Sequence, residues 1–256
     1  MKLLKNSFYF LYKLYYLAVF FTVFLALYPL FLLGFYIIKK PKFTYFLHRI
    51  WARILNLLTL VFLTTENKAA KLPKEPLIII SNHTSFLDVF LMCHILPDYP
   101  FIFMAKSELL KIPLFKTLFK HYHIPVYRKN QKKAAQSLLK CRKALKNGLS
   151  IVIFPEGGII EGYAPRLAPF KNGAFELAIR ENIAVLPITF TRNFKIIEEP
   201  NHWFSVARPG IAKAIVHPYI SREEVQSMGM SELRKKCFDI IEEPLREIYG
   251  FKSTNN

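Results

Sequence analysis

From Leu14 to Ile38 the chain reads LYYLAVFFTVFLALYPLFLLGFYII without one charged side chain. A stretch of this kind exceeds the roughly 20 residues that a helix needs to cross a bilayer, and it is expected to lie in lipid. Lys2, Lys5 and Lys13 stand before it as a signal-peptide n-region would, but the apolar run is too long and no A-x-A site follows. We therefore read an uncleaved anchor. Pro29 removes one backbone hydrogen bond, so a kink or a re-entrant two-helix hairpin competes with a straight span. Behind the stretch, Lys39, Lys40, Lys42, Arg49 and Arg53 outnumber the N-terminal lysines. That bias favours the cytoplasmic side of an inner membrane for the remainder.

Charge narrows the partners. Lys and Arg number 36 against 18 Asp and Glu, a formal +18, which favours a polyanionic partner. Hydrophobic residues reach 52%, with 24 phenylalanines, so membrane lipids fit better than nucleic acid, and no nucleic-acid partner is expected. Cys93, Cys141 and Cys237 are widely spaced, which points to neither a disulfide framework nor a zinc site. His121 and His123 would share a face if they lay on one strand, yet no carboxylate or cysteine stands at ligand spacing. No metal is expected. His94 and His217 read as structural.

Ile50 to Leu63, with Trp51, reads as an interfacial amphipathic helix running into a first strand. The chain then divides into residues 1–63, a hydrophobic anchor and interfacial helix, and residues 64–256, an α/β domain. The polar patch from Thr65 to Pro73 reads as a turn. Short apolar runs predict strands at 77–80, 101–104, 123–127, 151–154, 184–190 and 211–216. Between them, Gln131 to Lys146 predicts a helix with Ala134, Ala135, Leu138, Leu139, Ala144 and Leu145 on one face, capped by Asn130 and by Asn147-Gly148. Ser221 and Glu224 stand at capping-box spacing ahead of terminal helices interrupted by Gly229 and Pro244. This alternation predicts a mixed, largely parallel sheet flanked by helices.

Two of the strand exits carry chemistry. The run 77–80 is followed by Ser-Asn-His-Thr-Ser-Phe-Leu-Asp88, which sets His83 on a loop at the sheet's C-terminal edge, where open α/β folds bind ligands. Asp88, in the first turn of the next helix, can fold back to fix the histidine tautomer and stabilise an imidazolium. Ser85 and Asp88 also fit a plain capping box that needs no function. The run 151–154 leads into Pro155-Glu-Gly-Gly158, whose glycines admit a ligand to backbone N–H groups while Glu156 offers an acceptor to a substrate hydroxyl. An ordinary turn with a solvated glutamate fits that segment as well.

Asn82, His83, Ser85 and Asp88 form N-H-x-S-x-x-D, which resembles the hallmark of the glycerophospholipid acyltransferases typified by 1-acylglycerol-3-phosphate acyltransferase. The resemblance continues in order through Ala105-Lys106 to Pro113, Ile124 to Arg128, Phe154 to Gly157, and Pro169 to Pro187, covering roughly residues 75 to 190. It implies that His83 is the general base, that Asp88 orients it, and that the acceptor hydroxyl attacks an acyl thioester directly. The donor is then acyl-CoA or an acyl carrier protein, with no bound cofactor. Asn82, Ser85, Lys106, Glu156, Gly157 and Gly158 fall to substrate binding, and Arg128 to the phosphate. The family follows P-E-G with Thr-Arg-Ser, whereas Gly158-Ile159-Ile160 stands here, so Arg166 or Lys171 is the expected replacement cation. A different lysolipid or an amino-lipid acceptor stays open, as does a non-catalytic lipid-binding protein. The basic face of Lys129, Lys132, Lys133, Lys140, Arg142 and Lys143 suits headgroups or an acidic carrier.

Overall fold

An antiparallel helix pair leads into a seven-stranded sheet. The computed structural model describes residues 2–69, 71–127, 131–198 and 202–253. Helix α1 (Lys2–Leu33) runs unbroken through Pro29. One π-turn at Gly34–Ile38 and Lys39 in the left-handed region (φ 52°) then reverse the chain into α2 (Pro41–Leu58). Pro41 sits at the first helical position, where its missing N–H has no intrahelical partner to lose. Phe24 stacks on Trp51 at 4.8 Å and Phe31 meets His48 edge-on at 5.0 Å, while the Tyr12 hydroxyl donates to Thr59 O at 2.6 Å. Pro29 therefore neither breaks nor reverses the apolar stretch, and the chain turns back only after α1 has ended.

The sheet order is β1-β7-β6-β2-β5-β3-β4, with β1 Val61–Asn67, β2 Ile78–Ser81, β3 Phe101–Lys106, β4 Ile124–Val126, β5 Ser150–Ile153, β6 Val185–Phe190 and β7 Gly210–Val216. Every pairing is parallel except β6 with β7. The predicted mixed, largely parallel sheet is thus the observed one. In the middle, Ile78, Ile79 and Ile80 are fully buried between β5 and β6, as expected of a strand whose residues are apolar on both faces. The remaining helices are α3 (Leu87–Ile95), α4 (Phe115–His121), α5 (Gln131–Lys146), α6 (Gly173–Glu181), α7 (Arg222–Ser227) and α8 (Met230–Tyr249).

Several expectations shift. The boundary at 63/64 falls inside β1, and Thr65-Glu66-Asn67 is strand rather than turn. Its polarity follows from its place at the sheet edge, where most of its side chains are exposed. Helix α2 buries Tyr45, Leu47, Trp51 and Leu55 and so belongs to the packed body. Helix α5 has the expected bounds, but its inner face is Ser137, Cys141, Ala144 and Leu145, while Ala135 and Leu139 point outward. Its expected cap Asn130 lies outside the described residues. Gly148, at φ 77°, ends that helix as anticipated. The Ser221–Glu224 capping box forms, Gly229 separates α7 from α8, and Pro244 sits inside α8 without ending it.

Burial decides the outcome of two substitutions. Ile79→Ala is expected to cost about 2–5 kcal/mol through a cavity in the central strand. Leu139→Ala, 64% exposed, should stay within about 0.5 kcal/mol. Thermal and denaturant unfolding of the two variants in detergent checks both.

Candidate active site

Three neighbouring strands, β6, β2 and β5, end side by side and deliver their following loops to one edge. The loop after β2 carries His83, and α3 begins four residues later with Asp88 in its first turn. His83 Nδ1 lies 2.9 Å from Asp88 Oδ2. The same oxygen accepts from the backbone N–H groups of Thr84 at 2.7 Å and Ser85 at 3.0 Å. From the loop after β6, Asn193 Nδ2 donates to Asp88 Oδ1 at 2.6 Å. Both oxygens of the buried carboxylate are therefore taken up in accepting from donors. Its partner nitrogen Nδ1 then carries the proton, and Nε2 of His83 is left as the acceptor.

Ser85 and Asp88 do form half of a capping box, because Asp88 takes the Ser85 N–H, but Ser85 Oγ accepts from Leu87 N at 3.2 Å and donates to Ile197 O at 2.6 Å. One carboxylate thus serves as both helix cap and histidine partner. Phe154, leaving β5, stacks on the imidazole at 4.0 Å with 15° between planes and fixes the ring's tilt. Asn82, expected to meet substrate, is fully buried and bonded through its side chain to Phe190 N and O, both at 2.8 Å, so it ties the β2 exit to the end of β6.

Glu156 differs most from expectation. Its carboxylate is 3% exposed and accepts from His83 N at 2.7 Å and Ala168 N at 2.8 Å. It clamps the histidine's own backbone to the 167–170 segment. Burial outweighs those two bonds and raises its pKa to about 7. Gly157 donates its N–H to Phe154 O at 2.9 Å, closing the turn. Gly158 is buried at φ 150°, and a Cβ built there would lie 2.7 Å from the Lys106 ammonium, so the side chain of Lys106 fills the space beside Gly158.

A cavity of about 260 Å³ opens at His83 and Thr84. Ile159, Ile160 and Arg166 line it from one side, and Phe194, Glu198 and His202 from the other. Glu161 and His202 meet across it at 2.5 Å. Thr84 Oγ1 is buried beside the histidine and has no partner among the described residues. Arg166 stands with its guanidinium 5.7 Å from the Phe251 ring. Lys171 is exposed and not part of the lining, although its backbone N–H donates to Pro155 O. Arg128 lies outside the described residues. His121 ends α4 and His123 is buried ahead of β4, so they share no strand face. No cluster of metal-ligating side chains occurs among the described residues.

Asn193 and the Ala168 N–H escape a reading of the sequence, because each lies far along the chain from the group it serves. No local spacing marks either one.

A family model described as Acyltransferase matches residues 62–191. A 1-acyl-sn-glycerol-3-phosphate acyltransferase of Chlamydomonas reinhardtii is 31% identical over 57% of this chain and 42% of its own. The chloroplastic enzyme of that name from Arabidopsis thaliana is 29% identical over 79% and 55%, and that of Saccharomyces cerevisiae 30% over 69% and 58%. The chain spans about half the length of the curated relatives it matches. The crystal structure of the 1-acyl-sn-glycerophosphate acyltransferase PlsC from Thermotoga maritima superposes with a TM-score of 0.74 at 22% identity, covering 99% of this chain and 100% of that one, and shares its fold.

Two outcomes follow from the site's polar wiring. Asn193→Ala removes a donor from a buried carboxylate and should cost about 1–3 kcal/mol in thermal unfolding, with Asn193→Asp costing more through like-charge repulsion. For Glu156 the folded pKa, about 7, stands above the ordinary 4.5, so the folded chain holds a proton that the unfolded chain has already released. That contribution is complete below the lower value and is lost as pH rises through the upper one. Melting temperature followed across this window should fall more steeply for the parent than for Glu156→Gln.

Proposed function

Since the chain belongs to the acyltransferase family, we propose that it moves a fatty acyl group from acyl-CoA or an acyl carrier protein to the free hydroxyl of 1-acylglycerol-3-phosphate at a membrane surface. The observation that carries this reading is the locked His83–Asp88 pair at the mouth of a cavity. Asp88 holds Nδ1–H, and Nε2 takes the proton of the acceptor hydroxyl. The oxygen attacks the thioester carbonyl, the C–S bond breaks, and the departing thiolate recovers the proton from the imidazolium. A thioester is already activated, so a base worth about 10²–10⁴ in rate together with proximity is sufficient. Asn82, Ser85 and Glu156 then act by holding the loop. Thr84 Oγ1, Lys106 and Arg166 are the groups we assign to substrate, the two cations to its phosphate.

The cavity's lining supports a second reading. Glu161 and Glu198 stand in it, and Ile159-Ile160 occupies the segment where the family carries an arginine, a balance that suits an acceptor bearing an amine.

The membrane part of the proposal rests on α1. The segment Leu4–Ile38 is long and apolar enough to cross a membrane, and it exposes Leu4, Phe8, Leu11, Phe21, Leu25 and Leu30 on the face turned from α2. We assign that face to the bilayer, with the sheet on the cytoplasmic side of an inner membrane.

Purified protein given a labelled acyl thioester and a panel of lysolipids should acylate 1-acylglycerol-3-phosphate, with products identified by mass. Preference for an amino-lipid would select the second reading, and no transfer to any acceptor would defeat both. His83→Ala is expected to lower turnover by about 10²–10⁴ in a chain that still folds, its stability falling only as for the loss of one donor to Asp88, about 1–3 kcal/mol. Asp88→Asn should lose turnover as well, whereas a mere cap would lose only about 1 kcal/mol of stability.

A further inference from the structure

A second cavity, also of about 260 Å³, lies behind the turn that carries Asn193. Arg192, Lys195 and Arg208 line it, with Ile196, Gly210 and Ile211 as its apolar floor. No acidic side chain belongs to the lining, and none of the three cations is in an ion pair among the described residues. Two of the three are nonetheless held in place. Arg208 Nε donates to Lys195 O at 3.0 Å, and the Lys195 ammonium stands 4.3 Å from the centre of the Tyr249 ring. Gathering like charges around a concavity is unfavourable unless an anion enters it. Arginine's planar fork further suits a phosphate.

The surroundings say where that anion comes from. Gly210 donates its N–H to Leu60 O, and Ile211 is paired in register with Phe62. Leu57, Leu58, Leu60, Phe62 and Ile211 are all large, apolar and exposed. They continue the outer face of α1, since the Tyr15 hydroxyl donates to Leu58 O at 2.7 Å. A basic hollow thus sits at the edge of the apolar surface assigned above to the bilayer.

We infer that the Arg192–Lys195–Arg208 cavity binds the phosphate of an anionic membrane phospholipid, whose acyl chains lie over Leu60, Phe62 and Ile211. The site is separate from the catalytic cavity, yet both flank one short turn. Phe194 lines the catalytic cavity, Arg192 and Lys195 line this one, and Asn193 between them holds Asp88. The lipid therefore docks the protein next to the dyad without entering it.

This inference rests on the membrane reading of α1, and the test separates the two. The full chain in non-ionic detergent is titrated with phosphatidylglycerol and, separately, phosphatidylcholine, and bound lipid is counted by native mass spectrometry. The parent should hold one phosphatidylglycerol saturably. In Arg192→Ala/Arg208→Ala that affinity should fall on the order of tenfold. Lys71→Ala/Lys74→Ala removes the same charge from the exposed segment ahead of β2, at the opposite edge of the sheet, and should keep the parent's affinity. Unchanged affinity in the first variant, or equal losses in both, overturns the site. Flotation with phosphatidylcholine vesicles reads the membrane assignment by itself. A chain that fails to float defeats both ideas, while one that floats but whose variants bind phosphatidylglycerol alike defeats only the pocket.

Discussion

The Asp88 carboxylate lies at 0% exposure with donors from His83, Thr84, Ser85 and Asn193 directed at it. An unpaired buried charge would carry a penalty of several kcal/mol, so the fold keeps Asp88 only because these groups converge. Each donor brings a structural element with it. Two come from the β2–α3 loop, one from the loop after β6, and the fourth is the imidazole itself. The requirement to satisfy one anion therefore sets the spacing between the ends of β2 and β6 and aims the ring. A second buried carboxylate, Glu156, repeats the device on the β5 side, tying the backbone of His83 to Ala168.

Reactivity follows from this rigidity. Nδ1 is committed, Phe154 lies flat against the ring, and the remaining nitrogen is the one available to a proton from the cavity. In the proposed reaction, proton transfer to His83 would need no rearrangement of the protein, which is what a preorganised base requires. The scaffold also accounts for Asn82 and Ser85. Both are motif residues, and both have their side chains bonded to backbone on the far side of the site, at Phe190 and Ile197.

The N-terminal hairpin meets the cavity at His83 rather than standing apart from it. The Lys13 ammonium donates to His202 O and to Ser205 Oγ, and Phe10 stacks on Phe204 at 5.5 Å. His202 and Ser205 are cavity wall. The helix carrying the long apolar face is therefore part of the site's outer boundary. In the proposed reaction, an acceptor held by its acyl chains along that face would have a short path to His83.

Local features were legible in the sequence where the physics is local. The apolar runs 77–80 and 151–154 are strands to within a residue, and α5 has its predicted bounds, because burial on both faces and helical periodicity write themselves into neighbouring residues. Edge strand β1 was masked by its polarity, and Leu139 was assigned inward although Ser137 takes that place by donating to Pro125 O. By itself the sequence determined that a histidine and an aspartate five residues apart follow a buried strand, a spacing one loop and one helical turn can close. Only the tertiary structure decided that Asn193 completes the Asp88 cage, that Glu156 clamps backbone, and that Arg192 and Arg208 share a hollow. Those partners are brought together by β-strand order, and strand order is set by long-range packing that no short stretch of residues encodes.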